Sequence, residues 1–147
     1  MTLNSNAIIT VTDAKAFLKV ENDLENSLIE MLINNASDQI EYERNTCIKA
    51  KDLVDEIYSG EGDSFIVLRN YPINSLTDVK IDGQSIPLTE FTYVSGTGTL
   101  HYNGTFPKGY GTVKVTYNAG YTNIPGRYRT WCLQLVSDYY EGRGGDL

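Results

Sequence analysis

The sequence predicts an α+β fold, in which a bundle of N- and C-terminal helices carries a central antiparallel β-sheet or barrel-like insertion. Apolar residues at helical spacing mark the first third of the chain, and the same spacing returns near its end. Short alternating segments separated by glycines lie between them and predict strands. We expect a single domain, 1–147, with a helical body at 8–50 and 124–142, a β lobe at 52–118 and a flexible C-terminal tail at 142–147.

Bulk composition is typical of a globular protein. The chain has 147 residues, of which 41% are hydrophobic and 21% charged. A domain of this length buries roughly 70% of the surface that its unfolded chain exposes. No apolar run approaches the roughly 20 residues of a membrane-spanning helix, and the N-terminus lacks the pattern of a signal peptide. The sequence predicts a cytoplasmic protein with no membrane partner.

The net charge of −7 is concentrated in the first part of the chain. Eleven acidic and five basic residues up to Ser59 give −6, and eight acidic and seven basic residues after it give −1. Affinity for phosphates needs clustered Lys and Arg, so this balance disfavours tight non-specific binding to nucleic acid. It is compatible with loosely surrounding a duplex, because like charges keep DNA from adhering to the enclosing wall.

The segment VTDAKAFLKV predicts a short first helix. Thr12 is the candidate N-cap, and Asp13 stands where the helix dipole favours an anion. Ala14, Phe17 and Leu18 share one face at helical spacing.

A longer helix is predicted over NDLENSLIEMLINNASDQIEYE. Asn22 can cap it while Glu25 reaches back, as in a capping box. Ile29 and Ile33 widen the apolar face, so we expect this helix to contact two neighbours, one of which could belong to another subunit. The predicted apolar stripe consists of Leu24, Leu28, Met31, Leu32, Asn35, Ala36, Gln39 and Ile40.

From about Asp52 the pattern changes to short β segments. LVDEIYS and SFIVLRNYP flank GEGD, a hairpin signal, and Pro72 ends the second strand because it lacks a ladder donor. In LTDVKIDGQSIP the alternation leads to Asp82-Gly83, the dipeptide favoured in two-residue hairpin turns. The stretch 91–117 adds three further strands, so that about six short strands form a small antiparallel sheet or barrel.

The segment VKVTYNAGYTNIPGRYRTWCLQLV returns the chain from strand to helix. Alternate residues from Val113 to Tyr117 share one face, which predicts a half-buried edge or surface strand. Gly120 can turn the chain with a positive φ, and Pro125 suits the first turn of a helix. The helix is expected to stop at Gly142, and its apolar face would consist of Tyr128, Cys132, Leu135, Val136 and Tyr139.

No catalytic, cofactor-binding or metal-binding site is predicted. His101 is the single histidine, and we expect a partly exposed structural role for it. Cys47 and Cys132 have no partner at metal spacing, and two packed thiols are favoured over a disulfide. A serine or cysteine nucleophile would need the same histidine. Carboxylate pairs such as Asp55/Glu56 are interpreted as solvated turn charges.

Basic and aromatic residues cluster in GRYRTW. Arg127 and Arg129, with Trp131 nearby, could contact phosphates or an acidic partner, since guanidinium groups pair with both. The alternative interpretation is that both arginines lie on the solvent side of the last helix.

Three stretches of the chain resemble the head-to-tail connector, or adaptor, proteins of tailed bacteriophages. They are ITVTDAKAFLKVENDLENSLIEMLINNASDQIEYERN, FIVLRNYPINSLTDVKIDG and FPKGYGTVKVTYNAGYTNIPGRYRTWCLQLVSDYYEGRGG. The similarity runs from Ile8 to Arg143, and the order and spacing of the motifs carry it. The long β lobe departs from the simpler, mostly helical members of this family.

The resemblance implies a non-enzymatic dodecameric ring beneath the portal at the unique vertex of the capsid. Such a ring would close the head after DNA packaging and give the tail a docking surface. The implied partners are other copies of the chain, the portal protein, a stopper or tail-terminator protein, and double-stranded DNA passing through without sequence-specific binding. The implied location is the capsid-tail junction of the virion, after assembly in the host cytoplasm.

A closed ring requires each subunit to bind the next through two different faces. The β lobe is the candidate for one face, and Ile29, Ile33 and Asn34 on the long helix are the candidates for the other. In such adaptors the C-terminal end reaches toward the portal. The candidates for portal, tail or DNA contacts are therefore Arg127, Arg129, Arg143 and Leu147.

Two alternatives are compatible with the sequence. A stopper or tail-terminator protein of the same phage neck would also form a ring, but is usually richer in β structure. A small carbohydrate-binding module would use Tyr93, Tyr102 and Tyr110 of the β lobe, because exposed aromatic rings can stack on sugars.

Overall fold

A computed structural model of the chain describes residues 3–142. The chain divides into two compact units: a helical unit containing both ends of the chain, up to Lys49 and from Tyr121, and a β unit formed by 50–120. The predicted α+β class is confirmed. That the chain acts as a single domain stays a prediction, and the predicted tail lies outside the described residues beyond Gly142.

Three α-helices, seven strands and one short 3₁₀-helix make up the described part of the chain. No described helix is long and apolar enough to cross a membrane. The elements are α1 (Val11–Leu18), α2 (Asn26–Arg44), β1 (Lys51–Gly60), β2 (Phe65–Val67), β3 (Ile73–Ile81), β4 (Gln84–Ile86), the 3₁₀-helix (Leu88–Glu90), β5 (Phe91–Val94), β6 (Thr99–Tyr102), β7 (Gly109–Ala119) and α3 (Gly126–Gly142).

The chain leaves and re-enters the helical unit at adjacent points. The Tyr121 N–H donates to the Ile48 carbonyl oxygen at 2.7 Å, and Lys49 and Tyr121 form an isolated parallel bridge. On the β side, Lys51 pairs with Ala119 at the ends of β1 and β7. Gly120, with φ of 108°, ends β7 as predicted.

One hydrophobic core holds the helical unit together. The inner face of α2 contributes Ile29, Ile33 and Ile40, and α3 contributes Cys132 and Val136. Each large apolar side chain buried in this way stabilises the fold by roughly 1.5–3 kcal/mol.

Both cysteines are buried and neither is in a disulfide, as predicted for packed thiols. The Cys132 Sγ lies 3.9 Å from the Ser37 Oγ. Burial raises the pKa of the Cys132 thiol to about 11, so this thiol stays protonated at neutral pH.

The N-cap of α1 is Thr10, and the prediction of Thr12 was wrong. The Thr10 Oγ1 accepts the Asp13 N–H at 3.1 Å, and the Asp13 Oδ2 accepts the Thr10 N–H at 3.3 Å. This reciprocal pair is a capping box, which needs a spacing of three residues. Only Thr10 stands at that distance before Asp13.

The α2 helix begins at Asn26, later than predicted, and only part of the predicted stripe is buried: Leu32, Ala36 and Ile40 are confirmed. The Asn22 Oδ1 accepts the Leu24 N–H at 3.0 Å, which makes a local turn in place of a helix cap. Glu25, at the N-cap position, makes no side-chain capping bond. Leu24, Met31, Asn35 and Gln39 of the predicted stripe are exposed, whereas the buried face consists of Ile29, Leu32, Ile33, Asn34, Ala36, Ser37 and Ile40.

The β unit contains two antiparallel sheets. The larger has the order β1-β7-β3-β4, and the smaller has the order β2-β6-β5. The predicted GEGD hairpin was wrong, because β1 pairs with β7 and β2 pairs with β6. The hairpin at Asp82-Gly83 is confirmed: Ile81 pairs with Gln84, and φ is 52° at Asp82 and 83° at Gly83. Two positive φ values identify a type I′ turn.

The β7 strand lies between β1 and β3 in the larger sheet. Of the predicted half-buried edge or surface strand, the half-buried pattern is confirmed and the edge position was wrong. Val115 pairs with Glu56 of β1 on one side and with Val79 of β3 on the other. Val113, Val115 and Tyr117 of β7 are buried. A central antiparallel strand also has one solvated face, so alternation alone does not distinguish it from an edge strand.

Thr10→Ala is expected to lower the free energy of unfolding by about 1 kcal/mol, because the Asp13 N–H loses its side-chain acceptor. Urea denaturation of the purified protein measures this loss. Thr12→Ala makes the same chemical change at an exposed helical position and should shift stability by less than about 0.5 kcal/mol. Equal losses in both variants would contradict the assignment of the cap.

Candidate interaction surfaces

Exposed apolar side chains on both units are the candidate functional features of this chain. Among the described residues, no group of three or more His, Cys, Asp or Glu side chains could hold a metal ion. Apolar side chains at the surface mark contact sites when they lie together. The exposed large apolar residues are Phe17, Leu24, Met31, Tyr42, Val54, Ile57, Phe65, Val67, Leu88, Tyr93, Val94 and Tyr110.

The outer face of α2 is the candidate surface of the helical unit. Met31, Asn35, Gln39 and Tyr42 are exposed there at spacings of three and four residues, which place them on one side of a helix. Tyr139 of α3 borders the same region, and together with Asn35, Gln39 and Tyr42 it lines a shallow depression. Tyrosine suits contact surfaces because it combines a large ring with a polar tip.

The predicted interface residues Ile29, Ile33 and Asn34 lie in the core of the helical unit. The side chains of Ile29 and Ile33 are 0% exposed. The Asn34 side chain is also buried, and its Oδ1 accepts the Asn4 N–H at 2.8 Å. These residues hold α2 in place, and a neighbouring subunit cannot reach them without unfolding the unit. Any subunit contact on α2 therefore falls on its outer face.

Arg127 and Arg129 lie exposed near the start of α3. The Arg129 Nη2 is 3.5 Å from the Asp13 Oδ2. The guanidinium of Arg127 lies 4.7 Å from the centre of the Tyr128 ring, and that of Arg44 lies 6.0 Å from the same centre. Such cation–π contacts hold the guanidinium groups beside the ring.

A basic and aromatic patch, which we call the arginine patch, consists of Arg44, Arg127, Tyr128, Arg129 and Trp131. Arg44, Arg127, Tyr128 and Trp131 line a cleft of about 280 Å³. The sequence predicted Arg127 but missed Arg44, because Arg44 reaches the cleft from α2. The other two predicted contact residues, Arg143 and Leu147, lie outside the described residues.

The outward faces of the two sheets differ in polarity. On the larger sheet, Lys80 forms ion pairs with Asp55 at 3.4 Å and with Asp78 at 3.9 Å. On the smaller sheet, Ile66 and Leu100 point inward and are buried. The residues that alternate with them face outward, and none is Lys, Arg, Asp or Glu: Phe65, Val67, Thr92, Val94, Thr99 and His101.

The tyrosines of the carbohydrate alternative do not share one exposed platform. The Tyr102 ring stacks on Phe91 with a centroid separation of 4.8 Å and contacts the Phe106 ring at 5.3 Å. It is part of the internal packing and is not free to stack on a sugar. The Tyr93 hydroxyl donates to the Asn74 carbonyl oxygen at 3.3 Å. This geometry disfavours the carbohydrate alternative.

A partly buried carboxylate network in the β unit was missed by the sequence analysis. The Glu56 side chain is only 15% exposed. It accepts hydrogen bonds from the hydroxyls of Tyr58 and Tyr117, and from the Asn70 Nδ2 at 3.1 Å. The two hydroxyl oxygens in turn accept backbone N–H groups, from Arg69 at 2.8 Å and from Asn70 at 3.3 Å. We call these five residues the Glu56 network.

A β-bulge turns Glu56 inward. The pairing of β1 with β7 shifts register between Leu53 and Glu56, and Asp55 within this shift has φ of 49°. A bulge adds one residue to the strand and re-aims the side chains that follow. The interpretation of Glu56 as a solvated turn charge was therefore wrong, because it lies in β1 with a side chain that is 15% exposed.

The Glu56 network also changes the titration of its tyrosines. Burial and, secondarily, the hydrogen bond to Glu56 raise the pKa of Tyr117 to about 12. The same two causes raise the pKa of Tyr58 further. Both hydroxyls therefore remain protonated donors well above neutral pH.

Comparison with known proteins gives one family. The model of the family described as head completion protein (HCP) matches residues 7–144. No curated protein matches the chain significantly.

Several solved structures share the fold over the whole chain. A chain from the neck of an empty GTA particle, computed with C6 symmetry, has a TM-score of 0.74 and 16% identity, covering 100% of this chain and 85% of that one. A chain from the virion of a native gene transfer agent (GTA) particle has a TM-score of 0.71 and 15% identity, covering 100% and 86%. A chain from the neck of a native GTA particle, computed with C12 symmetry, has a TM-score of 0.67 and 16% identity, covering 100% and 87%.

Stability is expected to fall as the pH rises from about 10 to about 12. Tyr117 has a pKa of about 12 when folded and 10.0 ordinarily, so its contribution is fully present below pH 10 and is lost as the pH rises through the folded value. Denaturation curves across this pH range measure the slope.

Tyr117→Phe should flatten this slope, because it removes one titrating hydroxyl. Tyr110→Phe is the matched control, since the Tyr110 side chain is 95% exposed. A Tyr117→Phe slope equal to that of the unmodified protein would contradict the linkage.

Proposed function

The chain belongs to the head completion protein family, and from this premise we propose that it is a non-enzymatic structural protein of a tailed-phage neck. Copies of the chain form a dodecameric ring beneath the portal, close the DNA-filled capsid and provide the surface on which the tail docks. The observation that carries the proposal is the family match over residues 7–144. The likeness to chains from particle necks computed with C6 and C12 symmetry supports a ring.

Ring closure needs two different faces on each subunit, because a cyclic contact is heterologous. The outer face of α2 is our candidate for the first. The β1 side of the larger sheet is our candidate for the second, since Val54 and Ile57 are exposed there. Both faces combine apolar side chains with polar neighbours, as subunit contacts commonly do.

The arginine patch is our candidate for contact with the portal, the tail or DNA. Arg127 and Arg129 are exposed, and guanidinium groups pair with carboxylates and phosphates. The net charge of −7 keeps the rest of the surface from holding DNA, so a duplex would pass through without sequence-specific binding. Contacts through Arg143 and Leu147 belong to the same proposal.

A stopper or tail-terminator ring of the same neck is the second candidate. The β unit favours it, because the seven strands of 50–120 make the chain richer in β structure than a mainly helical adaptor. Binding separates the two candidates: an adaptor binds the portal directly, whereas a terminator binds the tail tube.

Mixing the purified protein with its portal should give a complex that is heavier than the portal by the mass of one ring. Native mass spectrometry measures this difference. Met31→Glu combined with Tyr42→Glu should lower ring occupancy, because it places carboxylates on the outer face of α2. Both side chains are exposed, so the melting temperature should change little.

Leu24→Glu is the matched control, since it makes a similar change at an exposed position before α2. Ile29→Asp should instead unfold the helical unit, because it buries an unpaired charge. Normal ring formation by the Met31/Tyr42 variant would reject the proposed face. Failure of the unmodified protein to bind portal or tail would reject the proposed function.

Replacing both Arg127 and Arg129 with alanine should weaken partner binding by about tenfold or more, as expected when charge-assisted hydrogen bonds are lost. Stability should barely change, because the exposed ion pair of Arg129 with Asp13 contributes about 0–1 kcal/mol. Surface plasmon resonance against immobilised portal measures the affinity. Lys19→Ala, at another exposed cation, is the control and should bind normally.

A further inference from the structure

The outer edge of β2 carries unpaired backbone groups. Within the smaller sheet, β2 pairs only with β6. The Tyr102 N–H donates to the Ser64 carbonyl oxygen and the Leu68 N–H donates to the Gly98 carbonyl oxygen, both at 2.8 Å. In an antiparallel ladder, bonded residues alternate along the strand. The N–H and C=O groups of the intervening residues, Phe65 and Val67, therefore point away from the sheet.

Other edges in the β unit are protected, whereas the β2 edge is open. The β1 edge has two register shifts and carries Lys51, Asp52 and Asp55, and β4 is followed directly by Pro87. Charges, bulges and prolines are among the usual means by which a protein prevents an edge from pairing with another chain. The β2 strand is as short as β4, at three residues each, so length does not distinguish these two edges.

The β5 edge lies beside β3. The Ile73 N–H donates to the Ser95 carbonyl oxygen at 3.0 Å. The Ser95 hydroxyl returns a bond to the Ile73 carbonyl oxygen at 2.8 Å. By contrast, β2 contains no charge, proline or register shift, and its Phe65 and Val67 side chains are 46% and 58% exposed. An open apolar edge of this kind is a template for another strand.

The sequence around β2 is complementary to itself in the antiparallel direction. When D-S-F-I-V-L-R is aligned with a second copy about Ile66, Phe65 stands opposite Val67 of the other copy. These are the residues whose backbone groups point outward, so each N–H meets a carbonyl oxygen. The same alignment sets Asp63 opposite Arg69 at both ends of the pair. Both of these charged residues are exposed.

We propose that two free copies of the chain dimerise by pairing their β2 edges antiparallel. The two smaller sheets then form one continuous sheet, and the uncharged outward faces of both sheets adjoin. The Arg69 guanidinium lies 4.4 Å from the Tyr58 ring centre, pairs with the Glu56 carboxylate at 3.9 Å and donates to the Ile57 carbonyl oxygen, yet it remains 57% exposed. It is thus held near the end of β2, where Asp63 of the second copy would arrive.

This dimer is a state of the free protein and is distinct from the proposed ring. Its contact is isologous, whereas a cyclic ring uses heterologous contacts. A strand pair this short buries far less than the roughly 1,200–2,000 Å² of stable complexes, so the dimer is weak and dissociates on dilution. The dimer covers the apolar edge of β2 before assembly, and it dissociates when ring contacts form. The inference rests on the β2 geometry and not on the proposed function.

Sedimentation equilibrium over a concentration series tests the dimer. Val67→Pro removes an outward N–H and leaves the ladder bonds to β6 intact, so dimerisation should weaken by at least about tenfold. Val67→Lys should weaken it as well, and its exposed position should preserve the fold. Val54→Lys is the matched control at an exposed valine of β1 and should dimerise normally.

A charge swap tests the register. Asp63→Arg should weaken the dimer. Arg69→Asp should weaken it as well, but it also places a carboxylate beside Glu56, so the double variant is compared with Arg69→Asp. The double variant should restore the dimer relative to Arg69→Asp, because both pairs reform in the reversed sense. Amide hydrogen exchange at Phe65 and Val67 should slow as the concentration rises. Circular dichroism melting checks that each variant is folded.

Four results would overturn the proposal. Three concern the dimer itself: no self-association at millimolar concentration, unchanged association in both Val67 variants, or no recovery in the double charge variant. The fourth is concentration-dependent protection on α2 in place of β2, which would assign association to the ring surface. Ring formation on the portal is measured separately. The Val67 variants should still form rings, so a failure of the dimer and a failure of the proposed function give different results.

Discussion

A partly buried carboxylate, hydrogen-bonded to two tyrosine hydroxyls, ties the two sheets of the β unit together. Glu56 and Tyr58 lie on β1 and Tyr117 lies on β7, all in the larger sheet. The tyrosine oxygens accept the N–H groups of Arg69 and Asn70, which follow β2 of the smaller sheet. Taking a carboxylate out of water is costly unless hydrogen bonds compensate it, and those to an ionised group are among the strongest. The β2 edge, the outward sheet faces and the course of the chain toward β3 all depend on this network.

Local sequence predicted those parts of the fold that local physics determines. The Asp82-Gly83 hairpin and the change to helix near Pro125 follow from backbone preferences of single residues, and both are confirmed. Strand partners were not predictable in this way, because β1 and β2 are joined by a turn signal yet pair in different sheets. The pattern identified only part of the buried face of α2: Leu32, Ala36 and Ile40 were predicted, whereas Ile29 and Ile33 were placed at its side. Two rows of residues at helical spacing were available, and packing against α3 selected the row containing Ile29 and Ile33.

Candidate surfaces were predicted less well than the fold. The exposed arginines of α3 were recognised from a run of six residues, but Arg44 joins them only because α2 and α3 are neighbours. Glu56 was interpreted as a solvated turn charge, because nothing in the local sequence shows the bulge that turns its side chain inward. The resemblance to phage connector proteins, in contrast, is confirmed by the family match. It depended on the order of motifs along nearly the whole chain and not on any single cluster of side chains.

The bridge between Lys49 and Tyr121 has a consequence for how such chains diversify. Because the points where the chain leaves and rejoins the helical unit are hydrogen-bonded neighbours, the 71 residues of 50–120 form an insertion whose two ends meet. Replacing them with a short turn would leave the remaining backbone where it stands, since insertions are best tolerated where both ends of the inserted segment adjoin. Evolution can therefore lengthen, trim or exchange this module while conserving the helical scaffold, and a protein engineer can graft a foreign domain at the same junction.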